Sequence, residues 1–128
     1  MEKKFDVIII GGGMVGAAAA VTFAKQNKRV ALIENHVPER ESLELAPLRV
    51  SAVNLYSEAF LTQCGIWANI EESASNQFKR LATWEKRHQV LMFNSEEIDR
   101  AHLGHLIRNE ALQLAAFDTF AQYGDLIQ

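Results

Sequence analysis

The chain has 128 residues, 48% of them hydrophobic and 23% charged, with a formal net charge of −3 and a single cysteine. That length allows about one domain with its own core. The mild acidity and the absence of any Lys/Arg-rich run argue against a nucleic-acid partner. The lone Cys64 rules out an internal disulfide and suits a reducing, cytoplasmic compartment.

From Val7 to Ala24 no residue carries a charge. Lys3 and Lys4 ahead of this run imitate a secretion signal. Asp6 at its head and Gly11, Gly12, Gly13 and Gly16 within it oppose a continuous apolar helix of the roughly 20 residues that a membrane span requires. A strand, a turn and a helix fit better. Val7 to Ile10 is β-branched without polar alternation, the pattern of a strand covered on both faces. Gly11 to Gly16 then satisfies G-x-G-x-x-G, and an Ala-rich helix is predicted from Met14 to about Gln26.

Each glycine of the motif has a separate task. Gly11 permits a tight turn, Gly13 lets a diphosphate approach the backbone, and Gly16 brings helix and strand together. The unpaired N–H groups and positive dipole end of the helix then face the phosphates. Gly11, Gly13, Met14, Val15 and Gly16 are therefore the expected cofactor contacts. Lys25 and Lys28 suit the far end of the helix, and Asn27 can take a left-handed cap conformation. Arg29 to Glu34 reads as a second apolar strand ending in a carboxylate about 20 residues after the glycines, where an acidic side chain meets an adenosine ribose. Glu34 is assigned that role.

Asn35 to Pro47 is polar, holds both prolines and reads as a loop. Leu48 to Val53 is a short extended piece. Ser57 to Cys64 is an amphipathic helix stopped by Gly65. Phe78 to Trp84 and Val90 to Phe93 form a predicted hairpin around the charged turn 85–89. Leu106 to about Tyr123 reads as helical, with Ile107, Leu112, Ala115 or Ala116, and Phe120 on one side. Gly124 ends it, and Asp125 to Gln128 looks like the start of a strand. Two parallel strands with a third barely begun leave sheet edges unpaired, an invitation to oligomerise.

His102 and His105, near His88 in sequence, are candidate ligands, but no cysteine or carboxylate cluster completes a set of usable spacing, and no metal is assigned. Cys64 sits on the apolar side of its helix without a base nearby in sequence and reads as structural. Trp67 and Trp84 read as core or surface-packing residues.

The stretches "DVIIIGGGMVGAA", "RVALIE", "PLRVSAVNLYSEAFLTQCGIW", "RLATWE" and "LGHLIRNEALQ" cover most of the chain. Together they resemble the flavin-dependent aromatic hydroxylases of ubiquinone biosynthesis, in the group that includes p-hydroxybenzoate hydroxylase. The glycine motif is common to many FAD and NAD enzymes, whereas "LRVSA", "GIW" and "LGH" in succession are more selective. "RLATWE" is most similar to hydroxylases acting on a methoxylated polyprenyl benzoquinol, and sister enzymes acting at other ring positions remain open.

The resemblance implies an α/β, Rossmann-like FAD-binding domain, incomplete here, with a small β-hairpin and helices added to a parallel βαβ start. It implies FAD as cofactor, NAD(P)H as electron donor of the full-length family, a polyprenyl quinol or phenol substrate, and peripheral contact with the inner membrane. By position, Arg49 is expected near the flavin and diphosphate, and Asn109 falls where related hydroxylases place Arg or Gln against the cofactor. Asn109 reads equally well as a helix-start residue. Arg108 departs from the Glu usual in these hydroxylases and reverses a charge beside the cofactor. Relatives run to several hundred residues, so residues 1–128 are expected to be the N-terminal part of the FAD domain, without the substrate domain and later flavin motifs, and inactive alone. No catalytic residue is assigned. Two other readings stand beside this one: another FAD-dependent oxidoreductase class, or a non-catalytic nucleotide-binding module.

Overall fold

The computed structural model describes residues 3–44, 49–86 and 88–128. Leu48, expected to open the extended piece after the loop, lies outside the described residues, as do Pro47 and Arg87. The chain begins with a parallel βαβ unit: β1 (Val7–Ile10), α1 (Met14–Lys25) and β2 (Val30–Ile33). Val7 is paired with Val30 and Ile10 with Ile33. Asn27 has φ +60, the left-handed conformation expected where α1 ends. On the far side of β2, Ile127 bridges Val30 in parallel. Leu32 N–H donates to the Gln128 carbonyl at 2.8 Å, and Gln128 N–H donates to the Val30 carbonyl at 3.0 Å. The last residues therefore start a third parallel strand.

A second sheet follows. β3 (Val50–Asn54) leads directly into α2 (Leu55–Gln63), whose first turn is capped by the Asn54 side chain accepting from Ser57 N–H. After β4 (Ser75–Phe78) comes a hairpin, β5 (Arg80–Trp84) and β6 (Val90–Asn94). β7 (Gly104–Arg108) then runs antiparallel between β3 and β4 and passes straight into α3 (Asn109–Phe120).

This arrangement corrects two expectations. The stretch from Leu106 is not helical at its start, because Leu106 to Arg108 complete the central strand of the second sheet. Within that strand Leu106 is paired with Ala52 and Asn76, and Ile107 with Ser51 and Ser75, a register that only an extended backbone makes. Gly104 explains the entry: a Cβ there would lie 2.1 Å from the Val53 carbonyl oxygen, so β3 and β7 approach only through a glycine. The expected strand from Phe78 to Trp84 is also divided, since Phe78 is paired with Gly104 in the second sheet while Arg80 to Trp84 form the hairpin.

The core lies between α1, α3 and the second sheet. Ala17, Ala20 and Val21 of α1 are fully buried, and α3 answers with Ala111, Leu112, Ala115 and Ala116. Alanines on both helices permit a close approach, Leu61, Cys64 and Ile66 close the cluster from the α2 side, and Ile107 closes it from β7. Thr119 is buried on α3 and remains satisfied, donating to the Ala115 carbonyl at 2.8 Å and accepting from Asn69 at 2.9 Å. Trp67 is half-buried beside the core, whereas Trp84 is exposed on the hairpin.

Candidate nucleotide site

The turn between β1 and α1 takes its shape from its glycines. Gly11 has φ +99, a conformation that a side chain disfavours, and its N–H donates to the Ile33 carbonyl at 2.8 Å, tying the turn to the end of β2. A Cβ on Gly16 would lie 1.9 Å from the Gly11 carbonyl oxygen, so α1 can start this close to the turn only with glycine there. At Gly13 the result is opposite, with no heavy atom within 4 Å of where a Cβ would point. Gly13 is the N-cap of α1, makes no side-chain capping bond, and is followed by a first turn without acidic residues. The N–H groups at the positive end of α1 thus open onto space beside a bare backbone.

Glu34 is aimed at this turn. Its Oε2 accepts from Gly12 N–H at 2.6 Å and its Oε1 from His36 N–H at 2.9 Å. The His36 bond and then the Gly12 bond hold the carboxyl below its ordinary range, so Glu34 is ionised at neutral pH. Each oxygen keeps a lone pair for a hydroxyl donor. Gly12, which the fingerprint treats as a variable position, is itself required: a Cβ there would meet Glu34 Cβ at 2.8 Å and Phe117 Cζ at 3.1 Å.

A cleft of about 500 Å³ opens from the turn, lined by Gly13, Met14, His36, Arg49, Asn109 and Gln113 among others. Three of the predicted residues other than glycine therefore meet there: Met14, Arg49 and Asn109. Arg49 is exposed, and its carbonyl accepts from Asn109 N–H at 3.2 Å. Asn109 is the first residue of α3, and its Oδ1 accepts from Ser51 Oγ at 2.6 Å, which fixes the amide at the cleft wall. The Val15 side chain is 75% exposed and instead lines an apolar groove of about 530 Å³ with Ala18, Phe60 and Leu112. What Val15 offers the turn is its backbone.

Gln113 and His36 are cleft residues that the sequence did not single out. Gln113 donates to the Gly12 carbonyl at 2.7 Å, a bond across 101 residues that anchors the turn to α3. His36 supplies the N–H that orients Glu34. No local motif marks either, because both contacts depend on how α3 and the 34–36 turn pack. Arg108, the charge departure, lines the same cleft and donates to the Leu43 carbonyl. Elsewhere, His102 and His105 meet Glu58, while His88 lies in the hairpin turn.

A bare turn, an uncompensated helix N-terminus, an ionised carboxylate and an exposed guanidinium around one cleft can hold a diphosphate together with a vicinal diol. The comparisons with known proteins agree with this chemistry. Residues 6–44 match the family described as FAD dependent oxidoreductase. The chain is 32% identical over 115 residues to 3-demethoxyubiquinol 3-hydroxylase of Escherichia coli (strain K12), a match that covers 89% of this chain and 29% of that protein. It is 29% identical over 122 residues to ubiquinone biosynthesis monooxygenase COQ6, mitochondrial, of Rattus norvegicus, covering 89% of this chain and 25% of that one. In three dimensions it matches p-nitrophenol 4-monooxygenase PnpA from Pseudomonas putida DLL-E4 with a TM-score of 0.70 at 17% identity, over 100% of this chain and 31% of the other.

Over residues 6–44 the chain is therefore similar to the FAD-dependent oxidoreductases, and its fold is that seen in p-nitrophenol 4-monooxygenase. The relatives given above include hydroxylases and monooxygenases named for ubiquinol or ubiquinone biosynthesis, and the chain spans between a quarter and a third of their length.

Proposed function

We propose that this chain forms the adenosine-diphosphate end of the FAD site in a monooxygenase that hydroxylates the ring of a polyprenylated quinol or phenol, with NAD(P)H as reductant. One observation carries the cofactor half of this reading: the Glu34 carboxylate is drawn onto the glycine turn by Gly12 while the space over Gly13 stays open. In this reading Gly11 and Gly16 shape the turn, the backbone N–H groups of Gly13, Met14 and Val15 receive the diphosphate, and Glu34 accepts from the ribose hydroxyls. Arg49 balances phosphate charge, and Asn109, held by Ser51, contributes a polar wall. Bound FAD supplies the redox chemistry that activates dioxygen, and this chain's residues bind and orient it. The substrate half rests on the names of the relatives, which act in ubiquinone biosynthesis. A polyprenyl tail calls for contact with a membrane surface, and among the described residues no helix is long and apolar enough to cross one.

Titration of FAD with the chain, followed by flavin fluorescence, tests the reading. Saturable binding that ADP displaces and riboflavin does not is the expected result, because the grip is on the adenosine diphosphate. Absence of saturable binding by a folded chain, or displacement by riboflavin as readily as by ADP, would overturn it.

A further inference from the structure

We propose that Glu58, His102 and His105 form a binding site for a divalent transition-metal ion of the zinc or cobalt type, which clamps α2 to the start of β7. Glu58 lies 44 residues from His102 and 47 from His105, so the fold and not the local sequence assembles this two-histidine, one-carboxylate set. His102 Nε2 is 3.0 Å and His105 Nδ1 3.2 Å from the same oxygen, Glu58 Oε2, and all three donor atoms lie within 4.8 Å of one another. Ligands that share an ion with bonds of about 2.0–2.2 Å sit roughly 3–3.5 Å apart, so small shifts bring this trio onto one centre.

The side chains are about four-fifths buried, with exposures of 21% for Glu58, 20% for His102 and 18% for His105. Such burial limits the rotamer entropy that ligation costs. β7 is held on both sides by β3 and β4, and the His105 ring stands edge-on to Trp67 at 5.1 Å and to His102 at 4.9 Å, which fixes its plane. His102 Nδ1 is buried and makes no hydrogen bond, so nothing on that side draws the ring away from Glu58. Two imidazole nitrogens and one carboxylate favour zinc, cobalt or nickel over magnesium or calcium. Three protein ligands leave a position open to the adjoining cleft, which Glu58 and His102 line together with Thr62 and Arg100.

Cobalt(II) titration of the full chain, with any affinity tag removed, tests the proposal. The expected result is one equivalent bound, with visible d–d absorption and quenching of Trp67 fluorescence. Zinc should displace the cobalt, and magnesium should not. Glu58→Gln and His102→Ala, each first shown by circular dichroism to be folded, should bind at least about tenfold more weakly. His36→Ala and His88→Ala should bind as the wild type does. Failure of the folded wild type to bind cobalt, undiminished binding by Glu58→Gln, or a loss that follows His36 or His88 would overturn the proposal.

Discussion

Glu34 Oε2 accepts a hydrogen bond from Gly12 N–H at 2.6 Å, across a separation of 22 residues. This contact joins the end of β2 to the turn that follows β1, and after the His36 N–H bond it is the second cause that keeps the carboxylate ionised. Because Glu34 is held below the ordinary value of 4.5, its contribution to stability is present above that value and is lost as pH falls through the lower, folded-state value. The gap in melting temperature between wild type and Glu34→Gln should accordingly be widest near neutrality and shrink once pH drops below 4.5. A gap that stays constant through acid would show that the charge on Glu34 does not matter to the fold.

The glycines of the turn should rank by what a methyl group would strike. Gly13→Ala enters open space and should change stability by no more than about 0.5 kcal/mol. Gly12→Ala must displace Glu34 or Phe117 and should cost about 1–3 kcal/mol. Gly16→Ala meets the Gly11 backbone and should cost the most of the three. Denaturant unfolding of the three variants checks the order, and an order led by Gly13 would contradict the packing described.

Gln113→Ala removes the donor to the Gly12 carbonyl and should destabilise by about 0.5–1.5 kcal/mol. Its FAD affinity should fall as well, because the turn loses its tether to α3. A variant that melts and binds as the wild type does would remove Gln113 from the site.

On α3, Thr119→Val keeps the shape of a fully buried side chain but strips Asn69 of the acceptor it reaches at 2.9 Å. A loss of about 0.5–1.5 kcal/mol is expected, because Asn69 then keeps only its longer 3.4 Å bond to the Ala115 carbonyl, readable as a lower unfolding midpoint with an unchanged slope. A neutral effect would mean that Asn69 finds another partner.

The start of the fold was legible in sequence because its signals are local. A β-branched run, glycines at set spacing, an Ala-rich helix and an apolar strand closing on Glu34 each read within a few residues. The positive φ of Asn27 and the partial strand at Ile127 follow from equally local cues. The second sheet was not legible, because β7 earns its extended form from partners more than 25 residues away in sequence, β3 and β4. Ile107, Ala111 and Leu114 fall at i, i+4 and i+7, a spacing that mimics a helix face, and only the strand neighbours decide between the two. The same reasoning separates the site residues. Gly11, Gly13, Gly16 and Glu34 belong to a spaced motif, whereas Gln113, His36 and the meeting of Glu58 with His102 and His105 depend on packing.

The central claim is that the open space over Gly13 is where a diphosphate rests. FAD affinity of Gly13→Ala against wild type, with both chains shown to melt alike, measures it most directly. The account predicts equal stability and binding weakened at least about tenfold, or 1.4 kcal/mol. A folded Gly13→Ala chain that binds FAD as tightly as the wild type would contradict it.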